Sequence, residues 1–233
     1  MPLTLITGST SGLGEALALE LSATHDLLLH GRDDAKLQHL LARCVDPERH
    51  RCWLADLSDA AAAGESLRRA GIEVANFVHC AGVNAIEPIH SATPQQVVAM
   101  FQVNVLSALA IIAACRETLR SIVLISSAAS LRGEKGVAVY SATKGAIDAM
   151  ARSLAVELAP RTRVNVVNPG IVRTPMSAPA IDSIAFAEGA ERKYILGIGE
   201  THDVTAITGL LLSHRAEWIT GSSVTVDGGR TLF

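Results

Sequence analysis

Short, nearly unbroken apolar runs alternate along the chain with longer helical patterns. The runs that read as strands are Leu3–Thr7, Leu27–His30, Arg51–Ala55, Phe77–His79, Ser121–Ser126 and Arg163–Asn168, with a last one near Val224–Asp227. Helical patterns cover Gly14–Thr24, Ala35–Cys44 and Ala60–Ala70, then two longer stretches, Pro94–Arg120 and Val137–Pro160. Strands separated by helices of this length make βαβ units, and right-handed crossovers wind such units into a parallel sheet with helices on both faces. The expectation is an α/β, doubly wound sheet with its ligand crevice at the carboxyl ends of the strands. No repeat, low-complexity tract or linker divides the chain, so residues 1–233 read as a single domain. Pro175–Glu200 is poor in strand signals and rich in Ala, Pro and Gly; it reads as a substrate lid over the crevice.

Composition agrees with this picture. Of 233 residues, 49% are hydrophobic and 18% charged, as suits strands buried on both faces. A net charge of −3 gives no reason to expect nucleic acid or a membrane surface as partner. Cys44, Cys52, Cys80 and Cys115 show neither C-x-x-C nor zinc-type spacing, and read as reduced thiols with no metal site. The N-terminus has no charged n-region, and the apolar stretch Val103–Cys115, broken by Asn104 and Ser107, falls short of the roughly 20 residues a membrane span needs. A soluble, cytoplasmic protein is expected.

Candidate chemistry sits at strand ends. The first strand runs into Thr7-Gly8-Ser9-Thr10-Ser11-Gly12-Leu13-Gly14 and then a helix. Glycines there let the backbone approach a pyrophosphate, and the helix N-terminus offers free N–H groups; a tight turn without a ligand is the plainer alternative. The second strand ends His30-Gly31-Arg32-Asp33. Gly31 stands where an acidic residue would bond the ribose hydroxyls of NAD, leaving room there, and Arg32 follows where a guanidinium could pair with the 2′-phosphate of NADP. Arg32 could equally be a solvated loop residue, with Asp33 capping the next helix.

Further on, Ser126-Ser127 ends a strongly apolar strand, and Tyr140 and Lys144 lie one helical turn apart. An ammonium beside a phenol is expected to lower the phenol below its usual pKa of about 10, so that tyrosine can exchange a proton near neutral pH. Reduction of a ketone by hydride needs such a proton donor and a second donor on the carbonyl oxygen. The chain has only two tyrosines, so the pair stands out from background.

These motifs, with Asp56-Leu57, Ala81-Gly82, Asn104, Pro169-Gly170 and the ending Val226-Asp227-Gly228-Gly229, come in the order of the short-chain dehydrogenase/reductase family, which the sequence resembles over practically its whole length. The resemblance implies a Rossmann-type seven-stranded sheet. It implies that Ser127, thirteen residues before Tyr140, orients the carbonyl, that Tyr140 transfers the proton, and that Lys144 tunes Tyr140 and holds the ribose. Asn104 would hold a relay water, or else make a structural helix–helix bond. Gly8, Ser9, Gly12, Leu13 and Gly14 would meet the phosphates; Asp56, with Leu57, the adenine, unless Asp56 only caps a helix; Ala81, Gly82, Pro169, Gly170, Val172 and Thr174 the rest of the cofactor. The family's Asn-Asn-Ala-Gly stands here as His79-Cys80-Ala81-Gly82, which puts that motif's sheet-stabilising bonds in doubt. The pattern resembles NADP(H)-preferring members, NAD(H) being the alternative, and 3-oxoacyl-thioester reductases among them. An acidic acyl carrier protein would then meet a basic rim, for which Arg116, Arg120, Arg132, Arg161 and Arg163 are the candidates. Another ketone of sugar, steroid or secondary-metabolite type, or a non-catalytic dinucleotide sensor, are the competing readings. The family's habit implies a homo-oligomer, tetramer or dimer.

Overall fold

The computed structural model describes residues 2–183 and 194–232. Seven parallel strands form one sheet: β1 (Leu3–Thr7), β2 (Asp26–Gly31), β3 (Arg51–Leu54), β4 (Asn76–His79), β5 (Ser121–Ile125), β6 (Arg163–Pro169) and β7 (Ser223–Val226). Each lies within one residue of its expected ends. Their order is β3-β2-β1-β4-β5-β6-β7. The winding direction reverses between β1 and β4, and a doubly wound sheet opens to its ligand at the carboxyl ends of that pair.

Among the described residues the helices are α1 (Gly12–Leu21), α2 (Asp34–Leu41), α3 (Ala60–Ala70), α4 (Pro94–Phe101), α5 (Ser107–Cys115), α6 (Ala138–Glu157), the single turn α7 (Ala178–Ile181) and α8 (Thr201–Leu212). Alternate strand residues point to opposite faces, and both faces are covered. Leu5, Leu28, Phe77 and Ile122 pack toward α3, α5 and α6. Ile6, Leu27, Val78 and Val123 pack toward α1, α2 and α8.

Three elements differ from expectation. The stretch Pro94–Arg120 is not one uniform helix: a π-helical turn, Gln102–Leu106, joins α4 to α5, and α5 ends at Cys115. Thr118 Oγ1 closes that end by donating to the Cys115 and Val74 carbonyls at 3.1 and 2.8 Å. The continuous run Pro94–Cys115 has 22 residues and is apolar enough by length and composition to cross a membrane. In the fold its Ala108, Ile111 and Ile112 are buried in the core with Ala63 and Leu67 of α3. Secondly, α8 is an element the hydrophobic pattern left unassigned. Its signal is a reciprocal cap, in which the Glu200 N–H donates to Asp203 Oδ2 at 2.8 Å, ahead of the buried Val204, Leu211 and Leu212. Thirdly, the expected lid Pro175–Glu200 falls partly outside the described residues, which omit 184–193. Its described parts are α7, a bridge between Gly199 and Val172, and a buried Tyr194.

Candidate active site

Between β1 and α1 the backbone turns through left-handed conformations at Gly8 and Gly12, with φ of 67° and 56°. A Cβ on Gly14 would lie 2.3 Å from the Gly8 carbonyl oxygen, so only glycine lets α1 begin this close under the loop. Gly8, Gly12, Leu13 and Gly14 line a cavity of about 600 Å³. The N-cap Ser11 makes no side-chain bond to the helix, so the first amides of α1 remain available to an anion.

A residue not singled out by its sequence context braces this loop. The Gly8 N–H donates to His30 Nδ1 at 3.1 Å, and His30 Nε2 bonds the Ala55 carbonyl at 3.2 Å. Burial pushes His30 down to about 4. The ring is therefore neutral, with Nε2–H as donor and Nδ1 free to accept. Ser9, expected at the phosphates, turns inward instead: its N–H and Oγ both donate to the His30 carbonyl at 3.0 Å, and it is fully buried.

The end of β2 corrects a detail. A Cβ on Gly31 would meet Thr10 Cγ2 at 2.7 Å and Leu37 Cγ at 3.2 Å, so the acidic position is closed by neighbours and is not open space. Arg32 beside it is exposed, and Asp33 caps α2 by accepting from the Lys36 N–H at 3.1 Å. Asp56 does not cap α3; Asp59 does, accepting from the Ala62 N–H at 2.9 Å. The Ser58 amide, 2.9 Å from Asp56 Oδ1, holds the Asp56 carboxyl below the usual carboxylate range, with smaller help from Arg32. Leu57 is a core residue whose side chain does not reach the cavity.

Ser127, Tyr140 and Lys144 converge on the cavity. Ser127 follows β5, its Oγ accepts from the Ala129 N–H at 3.2 Å, and it hydrogen-bonds the Tyr140 phenol. Lys144 is 4% exposed; its Nζ donates to the Ile125 carbonyl at 2.8 Å and stands 5.7 Å from the Tyr140 ring centroid. Burial pushes Lys144 down to about 8, against the opposing pull of Cys80 and Asp148. Burial also pushes the Tyr140 phenol up, while its bond with Ser127 acts the other way. This reverses the expected lowering, because the ammonium is held by the Ile125 carbonyl and desolvation dominates. At neutral pH the phenol keeps its proton and can give it to a developing alkoxide.

Asn104 is fully buried and does not line the cavity. Its Oδ1 accepts from the Val83 N–H at 2.8 Å, and its Nδ2 donates to the Val83 carbonyl and to Thr143 Oγ1, both at 3.0 Å. The π turn is thereby tied to the loop after β4 and to α6 one residue before Lys144. Gly82 forms the partition between them: a Cβ there would lie 3.5 Å from Asn104 Oδ1 and 3.6 Å from Lys144 Nζ. The sheet bonds placed in doubt by His79 are supplied differently. His79 Nδ1 meets Thr7 Oγ1 across β1 and β4 at 2.9 Å, and that oxygen also accepts from the Ala81 N–H at 3.3 Å. Burial pushes His79 down to about 3, and its Nε2, near the Val103 and Asn104 carbonyls, makes no well-formed hydrogen bond among the described residues.

Ala81, Gly82, Pro169, Gly170, Val172 and Thr174 line the same cavity. Its lining also includes Glu134, Tyr194 and Arg230, which the sequence did not single out, together with Arg132. Arg230 is 6% exposed, lies 5.6 Å from the Tyr194 ring centroid and 3.4 Å from Glu134, and its carbonyl accepts from Arg132 at 2.7 Å. Of the five arginines read as a basic rim, only Arg132 is here. Arg116 and Arg161 pair with Glu117, Arg120 bonds the Leu119 carbonyl, and Arg163 donates to carbonyls at the end of α8. Those four flank the amino ends of β5 and β6, the opposite edge of the sheet from the crevice.

A glycine loop at a helix N-terminus, a 600 Å³ cavity across the β1/β4 reversal and a Ser–Tyr–Lys group fit a nicotinamide dinucleotide beside a carbonyl. Fold and site together define a Rossmann-type oxidoreductase. The family model described as enoyl-(acyl carrier protein) reductase matches residues 8–231. The L-xylulose reductase of Bos taurus is 33% identical over 97% of this chain and 94% of its own length. A short-chain dehydrogenase/reductase structure from Brucella melitensis, 29% identical, superposes with a TM-score of 0.92, covering 98% of this chain and 96% of the other. Two more distant structures, ElxO with NADP bound (24% identical, TM-score 0.88, full coverage of this chain and 99% of the other) and 4-hydroxyisoleucine dehydrogenase complexed with NADH (22%, 0.92, full coverage of both), share the fold. The chain belongs to the short-chain dehydrogenase/reductase family and is an oxidoreductase of that family.

Proposed function

We propose that the protein is an NADP(H)-dependent reductase of a small ketone. The observation that carries this reading is the convergence of Ser127, Tyr140 and Lys144 on one cavity with the glycine loop. A bound nicotinamide supplies the hydride. Ser127 Oγ donates to the carbonyl oxygen, and the protonated Tyr140 phenol delivers a proton to that oxygen as it becomes an alkoxide. Lys144, charged below a pH of about 8, stabilises the phenolate left behind and bonds the ribose. Asn104 holds the π turn against Thr143 and Val83, which favours its structural role over the relay. Gly8, Gly12, Leu13 and Gly14 cradle the phosphates, with Thr174 beside Gly12 reaching them too; Asp56 reaches the adenine; Ala81, Gly82, Pro169, Gly170 and Val172 frame the nicotinamide side.

The choice of NADP rests on Arg32, exposed at the end of β2 beside a position that admits no acidic side chain without displacing Thr10. A small hydroxyketone or cyclic ketone is the favoured substrate class, in line with the relatives named L-xylulose reductase, D-erythrulose reductase and cyclopentanol dehydrogenase. A 3-oxoacyl thioester is the second reading, favoured by the family model's description and weakened by the absence of four expected rim arginines from the crevice. The single-domain subunit would work in the cytoplasm as a homo-oligomer through Val98, Leu106 and Leu109 of the α4–α5 run, which are exposed. An NADPH-consumption screen over hydroxyketones, cyclic ketones and 3-oxoacyl thioesters, repeated with NADH, tests the reading. Turnover is expected on a small ketone with NADPH preferred; no turnover on any would overturn it.

A further inference from the structure

Tyr140, Lys144 and Asp148 are spaced four apart on α6, and the first two face the cavity while Asp148 points beneath it. Asp148 is 6% exposed, and each group set against its carboxylate among the described residues carries a donor. Ser126 Oγ lies 3.2 Å from Oδ2, sharing its one hydrogen with the Lys144 carbonyl at 3.0 Å. Asn168 Nδ2 reaches Oδ1 and Oδ2 at 3.0 and 3.2 Å. Ser223 Oγ lies 3.4 Å from Oδ1 and 2.6 Å from Asn168 Oδ1, to which it donates. The second Asn168 hydrogen goes to Ser130 Oγ at 3.0 Å, and Ser130 in turn donates to the Ser127 carbonyl at 2.7 Å.

One carboxylate therefore gathers the three segments that must hold register for the reaction. They are the end of β5 before Ser127, the turn of α6 that carries Lys144, and the end of β6 that leads into Pro169-Gly170. We propose that Asp148 is the positioning residue of this active site, fixing Ser127, Lys144 and the nicotinamide-side turn relative to one another without touching substrate or cofactor. The inference rests on the catalytic roles proposed above. Groups held within a fraction of an ångström of a productive arrangement lose rate, more than affinity, when their support is removed. An amide in place of the carboxylate keeps the volume but turns an N–H toward the donors of Ser126 or Asn168.

The test is Asp148→Asn, compared with wild type for ketone-reduction kcat, NADPH Kd by fluorescence, and melting temperature. A fall in kcat of about tenfold or more, with NADPH Kd changed less than about threefold, is expected. A kcat within about twofold of wild type, or a loss of kcat that only tracks a loss of folded protein, overturns it. Should that variant fail to fold, Ser223→Ala removes one exposed member of the network. A kcat reduced about two- to fivefold at unchanged Kd supports the inference, and an unchanged kcat overturns it. Wild type that turns over no ketone overturns this inference together with the functional reading; active wild type with an equally active Asp148→Asn overturns this inference alone.

Discussion

The two edges of the sheet use the same residue types for opposite purposes. At the amino edge Arg163 donates to the Leu211 carbonyl at 2.8 Å and to the Ser213 carbonyl at 3.3 Å, closing the negative end of α8, while Arg116 and Arg161 share Glu117 on the surface. At the carboxyl edge Arg230 and Arg132 stand on the wall of the cavity, and Lys144 is buried with its ammonium on a backbone carbonyl. A basic residue is a structural clamp at one edge and part of a reactive cavity at the other. Parallel strands make this division general, because all their carboxyl ends, and the loops that follow, open on the same side.

That contrast can be broken by experiment, and the largest effect belongs to the carboxyl edge. Tyr140→Phe should lower kcat by about a thousandfold or more while NADPH binding stays within about threefold; a stopped assay with fluorescence titration of the cofactor checks both. Activity near wild type would remove Tyr140 from the mechanism. Next comes Arg32→Asp, expected to reduce the kcat/KM ratio for NADPH over NADH by about tenfold or more. An unchanged ratio would return Arg32 to the solvent.

The pH dependence sharpens the same edge. Lys144 has its folded-state pKa pushed down to about 8 from 10.5, so reduction should decline as pH rises through about 8 and the ammonium is lost. The folded state releases this proton first, so between about 8 and 10.5 the unfolded chain binds more of it. In that window this group's contribution to stability grows with pH, and below it the buried charge counts against folding. Melting temperatures of wild type and Lys144→Met across that range should converge as pH rises.

At the amino edge the effects turn structural and small. Arg163→Met should cost about 1.5–3 kcal/mol of stability by leaving the α8 carbonyls without their charged donor, with kcat unchanged. Arg161→Glu should change kcat/KM on every substrate by less than about twofold. A selective loss on a carrier-bound thioester would restore the amino edge as a docking rim.

Much of this molecule was legible before any coordinates. The strands announced themselves because residues such as Leu27, Leu28 and Leu29 are apolar on both faces, and only a covered parallel sheet demands that. The glycine loop was readable because Gly14 admits no side chain, and Ser127, Tyr140 and Lys144 because their spacing puts them on one strand end and one helix face. What depended on distant partners was not readable. His30 braces Gly8 across two strands, Ser9 turns away from the phosphates to His30, and Asp59 takes the cap that Asp56 suggested.

The chain alone carried the seven-stranded α/β order, the candidate group of Ser127, Tyr140 and Lys144, and the resemblance to a family that uses a nicotinamide dinucleotide, since each rests on local periodicity or on motifs a few positions long. The tertiary structure decided three things. It put four of the five rim arginines at the opposite edge, placed Arg230 with Arg132 on the cavity wall, and set Asp148 beneath Ser126, Lys144 and Asn168. Those outcomes depend on which strands become neighbours and on how desolvation balances charge in the packed interior. Neither is encoded in spacing along the sequence, because burial and long-range contact exist only once the sheet has closed its two cores.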